Sequence, residues 1–123
     1  MKTRKQILVI EDDPSVRSLL QRAFFDRYEV EAIADGTEAE LRLQRDPVPD
    51  LMICDVMLPG VDGFALARIA KSSDWSNVPI IFLTARSTAR DVIEGIQSGA
   101  RHYVMKPFKL KELQDKVRKI LGS

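Results

Sequence analysis

Three short runs of apolar residues, each bounded by polar residues or proline, limit the folds open to this chain more than any other feature. They occupy residues 7–10, 51–54 and 80–83. A strand with one face in solvent alternates apolar and polar residues, whereas a strand covered on both faces is apolar throughout. The runs therefore predict strands of a parallel sheet that has helices on both sides.

Two further strands and five helices complete the expected organisation. Residues 28–33 alternate apolar and acidic side chains, which predicts an edge strand, and residues 102–105 form a short fifth candidate. Asp13 is suited to cap a helix that starts at Pro14. The other helices are expected after Gly36, after Gly63, near Ser87 or Thr88, and from Leu110 onward.

The fourth helix has apolar residues on one side. Val92, Ile93 and Ile96 recur at helical spacing, so we expect this helix to bury them against the sheet. Gly99 follows, and glycine commonly ends a helix. We therefore expect the fourth helix to pack through these three side chains and to stop at Gly99.

Strand and helix patterns alternate five times, which favours the α/β class. We predict a doubly wound five-stranded parallel sheet with five helices. Of the two plausible strand orders, the flavodoxin-like order 2-1-3-4-5 is the usual one at this size. The 123 residues are expected to form one domain over residues 1–123. Ligands of such sheets bind outside the carboxyl ends of the strands, between the first and third strands.

Composition excludes several classes of function. The sequence has 19 Lys and Arg against 18 Asp and Glu, a net charge of +1, so nothing global indicates binding to DNA or a membrane surface. The basic N-terminus precedes only four apolar residues, too few for a signal peptide or a membrane span. We expect a solvated segment before the first strand and a cytoplasmic location. Cys54 is the one cysteine, so no internal disulfide can form.

Polar residues follow four of the predicted strands, and parallel strands bring these ends to one edge. They are Glu11, Asp12 and Asp13 after the first strand, Asp55 after the third, Thr84 after the fourth and Lys106 after the fifth. Clustered carboxylates repel one another unless a cation lies among them. Oxygen ligands suit Mg²⁺, and one histidine with one cysteine is a poor set for zinc or copper. The sequence therefore predicts a Mg²⁺ site.

A carboxylate in such a site can attack phosphorus. Asp55 is the best candidate because it directly ends a buried strand. Lys106 and the metal would neutralise the developing charge, and Thr84 could donate its hydroxyl to a phosphoryl oxygen. Taken singly, Thr84 is better explained as an ordinary turn residue and Lys106 as an ordinary solvated residue. Their combination with the acids on four strand ends indicates a function.

Four segments then resemble the motifs of response-regulator receiver domains, which act in two-component signalling. They are ILVIEDD at residues 7–13, PDLMICDVMLPG at 49–60 with Asp62-Gly63, IIFLTA at 80–85, and GARHYVMKPF at 99–108. The resemblance runs from about residue 6 to the end of the chain. Because the four segments occur in order at matching separations, it is specific.

The resemblance implies roles for individual residues. Asp55 corresponds to the phosphoacceptor. Glu11 and Asp12 correspond to the acidic pair at the Mg²⁺ site, with Asp12 as the direct ligand, and the backbone carbonyl of Met57 corresponds to a further ligand. Asp55 is itself in this ligand set.

The resemblance also implies a switch. Thr84 and Lys106 correspond to the pair that contacts the phosphoryl group, and Tyr103 to the aromatic residue that turns inward when Thr84 shifts. The bond between Lys106 and Pro107 corresponds to a cis peptide bond in the family. Such a chain would catalyse its own phosphorylation and dephosphorylation, without a separate turnover substrate.

The expected partners are proteins. The donor would be a sensor histidine kinase or a histidine phosphotransfer protein, and a downstream effector protein would bind the surface of the fourth helix, fifth strand and fifth helix. We expect no DNA binding by this chain and no contact with a membrane. Arg101 and His102 stand where many transcription-factor relatives have two aspartates, which weighs against the dimer that those aspartates support.

Alternatives remain open at this stage. A phosphatase of the haloacid-dehalogenase type would need an acid two residues after Asp55, where the chain has Met57. The acids after the first strand would repel the phosphate of a flavin, which argues against a flavodoxin-like carrier. A degenerate receiver that acts only as a protein-interaction module and a receiver fragment of a longer transcriptional regulator are the other two readings.

Overall fold

The computed structural model describes residues 4–122, so the first three residues of the expected N-terminal segment, and Ser123, lie outside the described residues. Within residues 4–122, five strands alternate with five helices. The elements are β1 (Gln6–Ile10), α1 (Pro14–Phe24), β2 (Glu29–Ile33), α2 (Gly36–Arg42), β3 (Leu51–Cys54), α3 (Gly63–Lys71), β4 (Ile80–Thr84), α4 (Ala89–Gln97), β5 (His102–Met105) and α5 (Leu110–Leu121).

The strands form one parallel sheet in the order β2-β1-β3-β4-β5, which confirms the predicted class and strand order. The order reverses between β1 and β3. Ile10 at the end of β1 pairs with Ile33 on one side and with Cys54 on the other, so three strands end level with one another. Whatever follows these strands is brought to the same edge, next to the reversal of strand order.

Both faces of the sheet are covered, which explains the continuous apolar runs. Leu8 and Ile10 pack in a buried cluster with residues of α2 and α3. Ile7 and Val9 point to the other side and pack with α1 and α5. Because neighbouring residues of a strand face opposite sides, a central strand here has no position for a solvated side chain. No helix among the described residues has both the length and the apolar character needed to span a membrane.

The packing of α4 differs from the prediction. Ile93 and Ile96 are 56% and 59% exposed, and Val92 is only partly buried, so the prediction that these side chains pack against the sheet was wrong. Gly95 faces inward instead, and a Cβ atom there would lie 2.6 Å from the ring of Tyr103. The helix therefore approaches the edge of the sheet through its smallest residue, which turns its larger apolar side chains outward.

Candidate functional site

Main-chain hydrogen bonds extend the sheet by one residue beyond two central strands. The N–H of Glu11 donates to the carbonyl of Ile33 at 2.9 Å, and the N–H of Asp55 donates to the carbonyl of Ile10 at 2.9 Å. The backbone of each acid is therefore fixed against a neighbouring strand, Glu11 against β2 and Asp55 against β1. Glu11 is 1% exposed and Asp55 is 6% exposed.

Lys106 joins these two acids. Its ammonium lies 2.8 Å from Oε1 of Glu11 and 2.9 Å from Oδ2 of Asp55. The N–H of Lys106 donates to the carbonyl of Thr84 at 2.9 Å, so β4 fixes the point from which the side chain reaches the carboxylates. The bond between Lys106 and Pro107 is cis, as the resemblance implied.

A third acid completes a cluster. Glu11, Asp12 and Asp55 each offer a carboxylate oxygen, and these oxygens all lie within 4.8 Å of one another. Three carboxylates face one ammonium, so the described cluster carries an excess of negative charge. Asp12 is exposed, which leaves the cluster open to solvent. An open, all-oxygen set with excess negative charge fits a hard divalent cation such as Mg²⁺.

Met57 reaches the site through its backbone. Its N–H donates to Oδ1 of Asp55 at 3.0 Å, while its side chain is 56% exposed. Each oxygen of Asp55 thus has one protein donor, the Met57 N–H on Oδ1 and the ammonium of Lys106 on Oδ2. These two contacts fix the orientation of the carboxylate before any ligand binds.

Burial and charge act in opposite directions on the ionisable groups. Burial raises the pKa of Glu11, and the charge of Asp55 adds to this, while the hydrogen bonds from Lys106 and from the Asp13 N–H oppose it. Burial alone would lower the pKa of Lys106, but its hydrogen bonds to Glu11 and Asp55 outweigh burial, and the pKa is raised. Lys106 is therefore a permanent cation at neutral pH.

Asp13 and Arg17 organise the loop from outside the cluster. Asp13 accepts from the N–H of Ser15 at 2.8 Å and caps α1, as expected, which accounts for the fourth acid of this region. Arg17 donates from Nη1 to the carbonyls of Glu11 at 3.0 Å and of Asp12 at 3.3 Å. Sequence reasoning assigned no role to Arg17. Its only signal was a cation in the first turn of the helix that follows the acids.

The start of α3 packs against the residues that follow β3. The N–H of Gly63 donates to the carbonyl of Val56 at 2.9 Å. A Cβ atom on Gly63 would lie 2.3 Å from the carbonyl oxygen of Asp55, which is closer than any side chain can approach. Glycine at this position lets the loop after Asp55 fold back on itself.

Thr84 and Tyr103 meet through Arg86. Thr84 is fully buried, and its Oγ1 accepts from the N–H of Arg86 at 3.3 Å. Tyr103 is partly buried, its hydroxyl donates to the carbonyl of Arg86 at 2.7 Å, and its ring lies 5.9 Å from that of Phe82. The structure therefore brings together Glu11, Asp12, Asp55, Met57 and Lys106, and it links Thr84 with Tyr103 through the loop after β4.

Comparison with known proteins identifies the family. The family model of the response regulator receiver domain matches residues 7–118. This chain belongs to the response regulator receiver family. The DNA-binding response regulator MtrA of Mycolicibacterium smegmatis is 43% identical over 116 residues, a match that covers 94% of this chain and 50% of MtrA. The transcriptional regulatory protein AfsQ1 of Streptomyces coelicolor is 41% identical over 115 residues, with the same coverage of both chains. The receiver chain thus spans about half the length of the curated relatives it matches.

Solved receiver structures have the same fold. The receiver domain of the sensor histidine kinase PA1611 from Pseudomonas aeruginosa, which has a magnesium ion coordinated in its active-site cleft, superposes with a TM-score of 0.87 at 32% identity and covers 98% of this chain and 100% of that one. A putative response regulator from Chloroflexus aurantiacus gives a TM-score of 0.88 at 34% identity, with 98% and 100% coverage. The fold of this receiver is therefore shared over its whole described length.

Proposed function

We propose that this receiver is a signalling switch that accepts a phosphoryl group on Asp55 in a Mg²⁺-dependent reaction. The observation that carries the proposal is the setting of Asp55, a buried carboxylate fixed by Lys106 and Met57 beside two further acids. The donor is a phosphohistidine of a sensor histidine kinase or of a histidine phosphotransfer protein. The proposed location of this switch is the cytoplasm, as expected from the sequence.

In the proposed reaction, an oxygen of Asp55 attacks the phosphorus of the phosphohistidine. The P–N bond breaks, its electron pair stays on the imidazole, and an acyl phosphate forms on Asp55. Lys106, already 2.9 Å from Oδ2, faces the charge that develops on the carboxylate and phosphoryl oxygens. Because Asp55 is held before the donor arrives, the protein does little reorganisation during the transfer.

Glu11, Asp12 and Asp55 would hold the Mg²⁺ ion, together with the carbonyl of Met57 that the family resemblance implies as a further ligand. When bound, Mg²⁺ supplies positive charge that screens the acids from the phosphoryl oxygens. Glu11 is also fixed by Lys106, and its second oxygen accepts from the Asp13 N–H at 3.1 Å. Asp12, the exposed acid, is therefore the group best placed to bind the ion directly.

The proposed output uses Thr84 and Tyr103. A phosphoryl group adds about −1.5 to −2 charges and strong acceptor oxygens. Thr84 turns its hydroxyl toward the phosphoryl group, which changes its hydrogen bond with the Arg86 N–H. The movement of Arg86 then changes the hydrogen bond between the Arg86 carbonyl and the Tyr103 hydroxyl. The surface of α4, β5 and α5 then changes its affinity for an effector protein. Exposed Ile93 and Ile96 on α4 support a protein contact there.

The acceptor is tested by intact-mass measurement after incubation with acetyl phosphate and Mg²⁺. The chain is expected to gain one phosphoryl group, and Asp55→Asn to gain none. Asp62→Asn is the matched control, because Asp62 lies in the same loop but caps α3 through the N–H of Ala65 at 2.9 Å. Incorporation into Asp55→Asn at the level of the unaltered chain would contradict the assignment.

The relatives favour a second candidate, which extends the first. MtrA is a DNA-binding response regulator, and the chain spans half its length. We propose that this receiver regulates DNA binding carried by a separate domain of a longer regulator. The 123 residues themselves, with a net charge of +1, are then expected to give no specific gel shift when activated with beryllofluoride. A specific, salt-resistant shift would contradict this expectation.

A further inference from the structure

Arg86 is bonded to three different elements. Its N–H donates to Oγ1 of Thr84 on β4, and its carbonyl accepts from the hydroxyl of Tyr103 on β5. Its guanidinium donates two hydrogen bonds to Oδ1 of Asp91 on α4, from Nε at 3.1 Å and from Nη2 at 2.7 Å. One residue therefore joins the proposed switch pair to the helix of the output surface.

The guanidinium is held from a second direction as well. It lies over the ring of Phe64 on α3, with 5.4 Å between the guanidinium carbon and the ring centroid. A cation over an aromatic face is attracted by the ring. Because Asp91 fixes its donors and Phe64 covers one side, the Arg86 side chain has a defined position even though 40% of it is exposed.

Asp91 is bound to its own helix as firmly as to Arg86. Its Oδ2 accepts from the hydroxyl of Thr88 at 2.8 Å and from the Thr88 N–H at 3.3 Å, while its own N–H donates back to Thr88 Oγ1 at 3.1 Å. This reciprocal capping box fixes the first turn of α4. A force applied to the Asp91 carboxylate is therefore transmitted to the helix.

The other end of the link is also constrained. The ring of Tyr103 fills the space left by the missing side chain of Gly95. If Thr84 turned its hydroxyl elsewhere, the Arg86 N–H would lose its acceptor, and the loop could relax only by moving Asp91 or by releasing the Tyr103 hydroxyl. Without the ion pair, the loop could relax alone and leave α4 where it is.

We propose that Asp91 is a positioning residue of this switch: through its ion pair with Arg86 it fastens the loop after β4 to α4, so that ligation of Asp55, the placement of Tyr103 and the position of α4 change together. This inference rests on the proposed function. It adds to the contact between Thr84 and Tyr103 the connection that carries their rearrangement into α4.

The test uses beryllofluoride with Mg²⁺, a stable substitute for the phosphoryl group on a carboxylate, and amide shifts measured by NMR. In the unaltered chain, shifts are expected both near Thr84 and in α4 at Ile93. In Arg86→Gln, the shifts near Thr84 are expected to remain, while those at Ile93 become about two- to tenfold smaller. Arg86→Gln leaves the capping box of Thr88 and Asp91 intact, so α4 keeps its first turn.

Two further variants make the test specific. Asp91→Asn is expected to reduce the shifts at Ile93 like Arg86→Gln, and Arg86→Lys, which keeps a cation, is expected to restore part of them. Arg68→Gln is the matched control, because Arg68 joins α3, and not the loop after β4, to α4 through an ion pair with Glu94 at 2.8 Å. The amide shifts of Arg68→Gln are expected to match those of the unaltered chain both near Thr84 and at Ile93.

Full-sized shifts at Ile93 in Arg86→Gln would overturn the inference and leave the proposed function intact. An equal loss in Arg68→Gln would also overturn it, because any ion pair on α4 would then serve. If the unaltered chain showed no shift near Thr84, the proposed function itself would fail, and the inference with it.

Discussion

Arg42, which is buried, and Lys106, which is partly buried, both pair with carboxylates, but the charge around them differs. Arg42 donates from Nε to both oxygens of Glu31, at 3.0 and 3.1 Å, and to the carbonyls of Arg45 and Pro47 at 2.9 and 2.7 Å. Its guanidinium also lies over the ring of Trp75, 5.1 Å from the centroid. One acid, two carbonyls and a ring satisfy one cation.

The surroundings of Lys106 contain more negative charge than it can neutralise. It bonds to two carboxylates, and that of Asp12 lies in the same cluster. Buried charges persist where partners compensate them. The Arg42 region is complete without a ligand and stabilises the fold, whereas the acidic cluster beside Lys106 has an excess of negative charge that could hold a metal ion. This difference, more than burial or polarity, separates a structural charge from a candidate site.

The largest expected effect is at Arg42. Arg42→Met is expected to lower the free energy of unfolding by about 3 kcal/mol, because it removes several hydrogen bonds and a cation–ring contact from a buried position. Chemical denaturation measures it. Arg45→Met is the control, since the Arg45 side chain is exposed, and it should stay within about 0.5 kcal/mol of the unaltered chain. A loss at Arg42 as small as this would remove the contrast between the two regions.

Magnesium should stabilise the chain by binding at the acidic cluster beside Lys106 and not elsewhere. At a Mg²⁺ concentration of about 100 times its dissociation constant, the free energy of unfolding is expected to rise by about 2.7 kcal/mol. Asp12→Asn should lose most of this gain, and Asp26→Asn, which changes an exposed acid outside the cluster, should keep it. Thermal unfolding with and without Mg²⁺ gives the comparison. An equal gain in both variants would show that the ion binds elsewhere.

In the absence of metal, Asp12→Asn should raise the free energy of unfolding and not lower it. Asp12→Asn removes one of three clustered carboxylates and is expected to stabilise the metal-free chain by about 0.5 kcal/mol through reduced repulsion. The measurement is denaturation in the presence of a chelator. A destabilised metal-free variant would mean that Lys106 already balances the cluster.

The smallest expected effect is a pH dependence of stability that comes from His102, which lies near two cations. Burial, with Lys116 and Arg101 nearby, lowers the pKa of His102 below its ordinary value of 6.5. The unfolded chain then binds the proton more readily, so stability from this group is complete above about pH 6.5 and falls until the pH passes the folded pKa. His102→Gln should remove the part of the stability loss that protonation of His102 causes as the pH falls from about 7.5 to 5.5. The same pH dependence in both chains would exclude His102 as its cause.

The sequence predicted the sheet and the members of the acidic cluster because both depend on local signals. Continuous apolar runs mark strands covered on both faces, and a parallel sheet brings the residues after such strands to one edge. Asp55 follows one of these runs directly, and Glu11 follows another. The predicted strand order and class were confirmed, while the chemical roles of these residues stay predictions.

The contacts that the sequence did not predict join residues from different elements. Nothing in the spacing of Arg42 and Glu31, or of Arg86 and Asp91, distinguishes these pairs from other surface charges. The burial of α4 was predicted wrongly because apolar spacing shows that a face exists but not what covers it. In this helix the sheet covers Gly95, and the apolar face is left to solvent.

Trp75 is the only tryptophan in the sequence, it is 1% exposed, and it lies beside Arg42. Its emission therefore reports on the surroundings of Arg42, where the charge is balanced. Intrinsic fluorescence should follow unfolding with the same signal whether or not Asp55 is modified. An optical assay of the proposed phosphorylation would need a second indole, and the exposed Met57 offers a position for it beside Asp55.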